Sequence, residues 1–235
     1  MFDFTGSEDE YREFSVAARR LAASLKKETI SVKDSFKPVL KQDNEGFKSA
    51  SQVQYVCRAG NFADKGLKYT GALRVLKVMM GYDYLWNNIR VKGGAYGCMS
   101  GFNKNGDGYF VSYRDPHLPE TIDIYEGIPD YLKNFKADER TMTQYIIGAI
   151  STLDTPLTPQ GKALRSLVSY MTGQDEEFYQ KERDELLAST PEVMRSLSEH
   201  CRAILNDKAL CVVGADNKIE ENKEIFGKTE PLFIG

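Results

Sequence analysis

The sequence predicts a mixed α/β (α+β) fold, a two-layer sandwich in which helices pack on one face of a mainly antiparallel sheet. One sign is a pair of strand-like segments, residues 95–102 and 109–113, joined by Asn-Gly and Asp-Gly dipeptides that are typical of a tight hairpin. The second sign is that apolar residues recur at helical spacing in several segments after Pro116. Hairpin strands followed by grouped helices favour an antiparallel sheet covered on one face.

The first segment of the chain is predicted to be a strand followed by a helix. Residues 1–5 alternate apolar and polar side chains, as a short strand does. Ser7 and Glu10 then form a capping-box pattern, which predicts a helix running to about Lys27.

Residues 209–226 repeat this layout of a strand, a glycine turn and an acidic helix, which indicates a weak internal repeat. The alternative is that such units are simply common in α/β proteins. If each unit closes a domain, residues 1–43 are the tail of a preceding unit or a linker, and residues 44–235 form a C-terminal domain. The chain would then be a piece of a longer protein.

The elements between these ends follow from periodicity. Residues 51–58 alternate like a half-buried strand, and residues 69–86 repeat apolar side chains at helical spacing. The helices predicted after the hairpin cover residues 118–134, 138–152, 159–171, 175–188 and 191–206. Seven apolar side chains are predicted to be buried: Val53, Tyr55, Leu73, Leu76, Leu85, Ile146 and Leu167.

Composition narrows the function classes. The chain has 235 residues, of which 41% are hydrophobic, enough to bury a sizeable core. Its net charge of -3 argues against a nucleic-acid partner, because a phosphate-binding surface needs an excess of Lys and Arg. The apolar runs are too short to span a bilayer, so no membrane partner is expected. A cytoplasmic location is predicted, and an organelle is the alternative.

Metal binding within this chain is not predicted. The segment from His117 to Thr121 falls one residue short of the zinc-peptidase pattern H-x-x-E-H, because Thr121 stands where the second His is needed. A catalytic zinc needs about three protein ligands, whereas the two His of this chain lie far apart and its four Cys are scattered. The calcium-loop pattern of the hairpin turn also fails, since Arg114 occupies the position of the bidentate Glu.

The segment around a glycine pair carries the candidate functional residues. Arg90 and Tyr96 lie six residues apart on either side of Gly93 and Gly94. We expect a helix to end near Trp86 and a strand to begin near residue 95, so that the two side chains flank a turn. An Arg fork can hold a peptide carbonyl, and a Tyr hydroxyl can donate to a developing oxyanion. The alternative is a buried Tyr and a surface Arg beside an ordinary loop.

Five segments of the chain together form a recognisable pattern. They are Ser51-Gln52-Val53-Gln54-Tyr55-Val56, Gly71-Ala72-Leu73, Tyr84-Leu85-Trp86, Arg90-Val91-Lys92-Gly93-Gly94-Ala95-Tyr96-Gly97 and Tyr113-Arg114-Asp115-Pro116. With these segments the chain resembles the C-terminal part of presequence-protease-like enzymes, a branch of the pitrilysin/insulinase-type (inverzincin) zinc metallopeptidases. The resemblance covers residues 44–235 and is most specific from Trp86 to Gly97.

The resemblance implies four similar α/β domains arranged in two halves around a closed chamber. In that family the N-terminal half carries H-x-x-E-H and the zinc, while the last domain supplies an Arg and a Tyr. Carried onto this chain, Arg90 and Tyr96 are the pair that orients substrate and stabilises the oxyanion, and Gly93, Gly94 and Ala95 shape the substrate-binding turn.

The resemblance also implies a zinc cofactor in the full-length enzyme, peptide substrates, and a zinc-binding N-terminal half in the same or a partner chain. This chain alone should be inactive, whether it is a fragment, a separately expressed domain or the non-zinc subunit of a two-chain enzyme. The expected function is that of the C-terminal domain of a zinc metalloendopeptidase that degrades unfolded peptides. The alternative is a non-catalytic peptide-binding or scaffold domain of the same fold.

Overall fold

The computed structural model describes residues 2–25 and 44–233. By their contacts these residues form two compact units, one of residues 2–25 with 154–180 and the other of residues 44–153 with 181–233. The predicted domain boundary at residue 43 lies outside the described residues, and the division into 1–43 and 44–235 stays a prediction.

The helices and strands follow one another in a mixed order, with most helices after the hairpin. In chain order they are α1 (Glu8–Ser24), β1 (Glu45–Ser49), β2 (Gln54–Asn61), α2 (Ala72–Tyr82), β3 (Gly97–Phe102), β4 (Asp107–Asp115), α3 (Pro119–Glu126), α4 (Ile128–Lys133), α5 (Glu139–Leu153), α6 (Pro159–Thr172), α7 (Glu176–Leu187), α8 (Pro191–Ser196), α9 (Ser198–Asn206), β5 (Ala209–Ala215), α10 (Asp216–Glu221) and β6 (Lys228–Pro231).

The N-terminal segment confirms the predicted helix start and corrects the predicted strand. Ser7 caps α1 through the reciprocal capping box, in which the Glu10 carboxylate accepts a hydrogen bond of 2.7 Å from the Ser7 backbone. Residues 2–5 form no strand, because Phe4 folds back and stacks on Phe14 of α1 with ring centroids 4.7 Å apart. The helix ends at Ser24, and Lys27 lies outside the described residues.

The second unit contains a six-stranded sheet in the order β3-β4-β2-β5-β1-β6. The pairs β3–β4, β4–β2 and β2–β5 are antiparallel, whereas β1 pairs in parallel with both β5 and β6. The predicted hairpin is β3 and β4, with the turn closed by Gly106 at φ +95°. The mixed, mainly antiparallel α/β fold predicted from the sequence is therefore confirmed.

Helices cover one face of this sheet, and among the described residues the other face is open. Val56 of β2 and Phe110 of β4 are fully buried in the core shared with the helices. On the other face Tyr55 and Met99 are each 45% exposed. The alternation of buried and exposed side chains along β2 and β4 thus separates a packed face from an accessible one.

The predicted facing of β2 is wrong by one residue. Tyr55 points outward and Val53 is only half-buried, whereas Gln54, Val56 and Arg58 point into the core. A shift of one residue turns every side chain of a strand to the opposite face.

Two buried polar side chains explain this error, because both have partners inside the protein. The amide oxygen of Gln54 accepts a hydrogen bond of 2.8 Å from the backbone nitrogen of Ala215. Arg58 donates to the backbone oxygen of Leu205 over 3.1 Å and pairs with the Glu126 carboxylate. Polar side chains with such partners can occupy core positions, although Nε2 of Gln54 and Nε of Arg58 have no partner among the described residues.

The core prediction holds for three of its five helical positions. Leu73, Leu76 and Leu85 are fully buried, as predicted, whereas Ile146 and Leu167 are only partly buried. The predicted helices 118–134 and 191–206 are each divided in two, by Gly127 and Leu197.

Candidate functional site

The candidate site is built on residues 86–97, which we call the site loop. Instead of ending near Trp86, as predicted, the backbone continues as a π-helix over Trp86–Lys92. Its end is fixed by backbone hydrogen bonds, from Ala95 to the oxygen of Ile89 over 3.1 Å and from Gly94 to the oxygen of Arg90 over 3.0 Å. π-Helical turns are rare and occur frequently at functional sites.

The glycine pair is required by the geometry of this turn. A Cβ on Gly93 would lie 2.6 Å from the backbone oxygen of Ile89, and Gly94 has φ +77°, which other residues rarely adopt. Ala95 is 4% exposed and lies in the core, so its methyl group anchors the turn. The prediction that these three residues contact substrate stays a prediction.

Arg90 and Tyr96 are brought together by a direct hydrogen bond. The Nη1 atom of Arg90 donates to the backbone oxygen of Tyr96 over 2.7 Å. The same guanidinium lies over the Trp86 ring, with Cζ 4.3 Å from the ring centroid, and 5.7 Å from the centroid of Tyr96. Arg90 therefore joins the helical start of the site loop to its strand-forming end.

A second arginine, Arg114, also contacts Tyr96, and it was not predicted from the sequence. Its backbone oxygen accepts from the Tyr96 nitrogen over 3.3 Å, and its Cζ lies 5.4 Å from the Tyr96 ring centroid. The hairpin register could have identified it, because β3 and β4 pair Gly97 with Tyr113 and this places residue 96 opposite residue 114.

Arg114 is presented by an irregularity in β4. Its φ is +48°, uncommon for a residue with a side chain, and the β2–β4 register shifts at this point. Bulges of this kind re-aim a side chain and are over-represented next to active sites. The neighbouring Asp115 is fully buried and accepts from the Thr121 hydroxyl over 2.8 Å, which fixes the end of β4 to α3.

The Tyr96 side chain is accessible while its backbone is fixed. It is 58% exposed, and its ring lies near the two guanidinium groups and 5.7 Å from the ring of Tyr113. Within residues 2–25 and 44–233 its hydroxyl makes no hydrogen bond. A phenol whose backbone is fixed, whose ring lies near two cations and whose hydroxyl is free can donate to an oxygen that gains negative charge.

Cys98, which follows the site loop in sequence, and the two histidines offer neither an activated nucleophile nor a metal site. Burial, followed by the nearby Asp115, raises the pKa of the Cys98 thiol to about 11, so this thiol is protonated at neutral pH. His117 is half-exposed, with Nδ1 3.8 Å from the Glu120 carboxylate, and Nε2 of His200 lies 3.0 Å from the backbone oxygen of Lys68.

The side chains of residues 2–25 and 44–233 do not offer a site for a zinc ion. Across the described part of the chain, no three His, Cys, Asp or Glu side chains lie close enough to hold a metal.

None of the helices that the structure describes is long and apolar enough to cross a membrane.

Comparison with known proteins decides the family. The family model described as the PreP C-terminal domain matches residues 44–214. The chain belongs to this family. Protein HypA of Clostridium perfringens is 38% identical over 99% of this chain, and presequence protease 1, chloroplastic/mitochondrial, of Arabidopsis thaliana is 34% identical over 73%. The chain spans only 24% and 16% of these two proteins, so it corresponds to a part of each.

Solved structures confirm the fold. The structure described as the peptidase M16 inactive domain from Pseudomonas fluorescens superposes with a TM-score of 0.60 at 16% identity, over 95% of this chain and 53% of that one. Pitrilysin superposes with a TM-score of 0.61 at 13% identity, over 97% of this chain and 25% of that one. The chain thus has the fold of pitrilysin-type peptidase domains, and its match to the PreP C-terminal domain family agrees with the sequence resemblance.

Proposed function

We propose that this chain is the part of a zinc metalloendopeptidase that acts on the substrate opposite the metal, in an enzyme that degrades unfolded peptides. The zinc is bound by an N-terminal half, in the same or a partner chain, and peptides are the substrates. The observation that carries the proposal is the exposed Tyr96 side chain with its free hydroxyl, on a backbone whose oxygen is held by Arg90 and whose nitrogen is held by Arg114.

Tyr96 is the catalytic group of this proposal. During peptide hydrolysis the scissile carbonyl oxygen gains negative charge, and the Tyr96 hydroxyl donates a hydrogen bond to it. The cationic side chains of Arg90 and Arg114 lie beside the Tyr96 ring and favour negative charge at this position. A preorganised donor of this type contributes about 3–4 kcal/mol to transition-state stabilisation.

Arg90 has two roles in the proposal. One nitrogen, Nη1, is engaged by the backbone oxygen of Tyr96 and so positions the catalytic tyrosine. A guanidinium carries five N–H donors, so the others are left to orient the substrate backbone. Gly93 and Gly94 allow the close turn that brings the two residues together.

A second candidate function is a non-catalytic peptide-binding or scaffold domain. The engagement of Arg90 favours it, because a guanidinium that bonds to Tyr96 and stacks on Trp86 is accounted for by loop structure alone. The two functions differ in the role of the Tyr96 hydroxyl. A scaffold domain requires only the packing of the Tyr96 ring, whereas catalysis also requires the hydroxyl as a hydrogen-bond donor.

The proposal is tested with the longer protein that contains this chain and the zinc motif. That protein should cleave an unfolded peptide of a few tens of residues and should leave a folded protein of similar length intact. The 235-residue chain alone should cleave neither. If the longer protein binds zinc and binds the unfolded peptide but does not cleave it, the scaffold function is correct.

The location of the protein stays a proposal, with the cytoplasm preferred over an organelle.

A further inference from the structure

Two cysteines that the proposed site does not use face each other on neighbouring strands. Cys57 of β2 and Cys211 of β5 are direct partners in the antiparallel register. Both point to the open face of the sheet, because their neighbours Val56, Arg58 and Val212 point into the core. Cys57 is half-buried, Cys211 is exposed, and both are free thiols.

The register meets the geometric requirement of a disulfide. Directly opposed residues of an antiparallel pair have Cα atoms about 4.5–5.5 Å apart. A disulfide requires a Cα separation of about 4.4–6.8 Å. The two sulfur atoms can therefore reach bonding distance by side-chain rotation, without a change in strand pairing. Cys98 and Cys201, the other free thiols, are partners of neither residue in the sheet.

We propose that Cys57 and Cys211 form an oxidation site, which a low-molecular-weight disulfide converts to a cross-strand disulfide on the open face of the sheet. The exposed Cys211 thiolate attacks the external disulfide, forms a mixed disulfide and releases one thiol. The Cys57 thiolate then attacks the Cys211 sulfur and releases the second thiol. The two cysteines lose two electrons and two protons, and the external disulfide gains them.

The surroundings suit a slow, reversible modification. Burial, and then the adjacent Cys211, raises the pKa of Cys57, whereas burial and then Glu45 raise the pKa of Cys211. Both thiols are thus mainly protonated at neutral pH, so their exchange with an external disulfide is slow. The disulfide would join β2 to β5, two strands that are distant in the sequence, and would restrict the unfolded chain.

The experiment treats the folded chain with an excess of glutathione disulfide and maps the cysteines by proteolysis and mass spectrometry. We expect loss of two alkylatable thiols, a peptide pair linked through Cys57 and Cys211, and an increased melting temperature. Cys57→Ser should instead keep a glutathione adduct on Cys211, and the control Cys98→Ser should form the disulfide as the wild type does. A glutathione adduct on wild-type Cys211 that never closes onto Cys57, or no reaction at all, would overturn the proposal.

Phenylarsine oxide gives a second test that needs no oxidant, because trivalent arsenic bridges two adjacent thiols. One arsenical per folded chain should protect both cysteines from alkylation, and a small dithiol should release it. Either single substitution, Cys57→Ser or Cys211→Ser, should abolish this binding. Equal binding by the wild type and both variants would show that the arsenical does not bridge these two thiols and would contradict the proposal.

Discussion

Replacement of Arg90 by Ala removes the link between the two ends of the site loop. The wild-type side chain donates 2.7 Å to the backbone oxygen of Tyr96 and lies 4.3 Å from the Trp86 ring centroid. We expect the loop to open locally more often in the variant, while the core beneath it, including Ile89 and Ala95, stays packed.

The size of the effect follows from these two contacts. A hydrogen bond to a charged group contributes about 1.5–3 kcal/mol, and about 1 kcal/mol is appropriate here because Arg90 is exposed. A cation–π contact at an exposed site adds about 0.5–1 kcal/mol. The sum of about 1.5–2 kcal/mol corresponds to local opening that is about ten- to thirtyfold more frequent. Global stability should change little, since no buried side chain is lost.

Hydrogen exchange measures this opening directly. In Arg90→Ala the amides of Ala95 and Tyr96, which bond to Ile89 and Arg114, should exchange about ten- to thirtyfold faster. The amide of Phe110, in the middle of β4, should be unchanged. Arg90→Lys keeps the charge but not the fork, and should give an intermediate effect. Wild-type exchange at Ala95 and Tyr96 in Arg90→Ala would refute the role of Arg90 in fixing the loop.

Three further predictions concern stability and metal. Burial raises the pKa of Glu182, but hydrogen bonds from Arg74 and Tyr69 outweigh it and hold this pKa below its ordinary 4.5. The ionised Glu182 therefore stabilises the fold above about pH 4.5, and this stabilisation is lost as the pH falls through the lower folded pKa. Because Glu182→Gln lacks this carboxylate, acid should lower the urea midpoint of the variant less than that of the wild type. Gly94→Ala should lower the free energy of unfolding, measured by thermal denaturation, by about 1–2 kcal/mol because Gly94 has φ +77°. The control Gly81→Ala lies in α2 with open space around it and should not be destabilised. Equal stability of the two variants would contradict this prediction. Elemental analysis should find no stoichiometric zinc in the 235-residue chain, and one tightly held zinc per chain would show that its ligands were missed.

The elements predicted correctly are those whose local chemistry agrees with the final fold. The hairpin was predictable because its turn residues accept positive φ, and α1 because Ser7 and Glu10 cap it. Strand β1 was not predicted, since Glu45–Ser49 is polar, contains a glycine and becomes a strand only by pairing with β5 and β6. Tertiary partners decide such segments, and they are not visible in local periodicity.

The site shows the same division between local and tertiary information. Arg90, Gly93, Gly94 and Tyr96 were selected because their residue types and spacing indicate a turn with donor groups. The π-helix from Trp86 was not predictable, because its end is fixed by backbone hydrogen bonds of Gly94 and Ala95 rather than by a periodic apolar pattern. The cation–π contact of Arg90 with Trp86 also depends on this helical turn, so the sequence spacing alone did not indicate it.

The central claim is that the Tyr96 hydroxyl acts on the transition state of peptide hydrolysis. Its most direct test is the steady-state kinetics of Tyr96→Phe in the longer, zinc-containing protein, with Tyr82→Phe, an exposed tyrosine of α2, as the matched control. We predict that Tyr96→Phe lowers kcat about 10²- to 10³-fold with little change in KM, and that the control has wild-type kinetics. Wild-type kcat in a folded Tyr96→Phe protein would contradict the catalytic role and leave the scaffold function in its place.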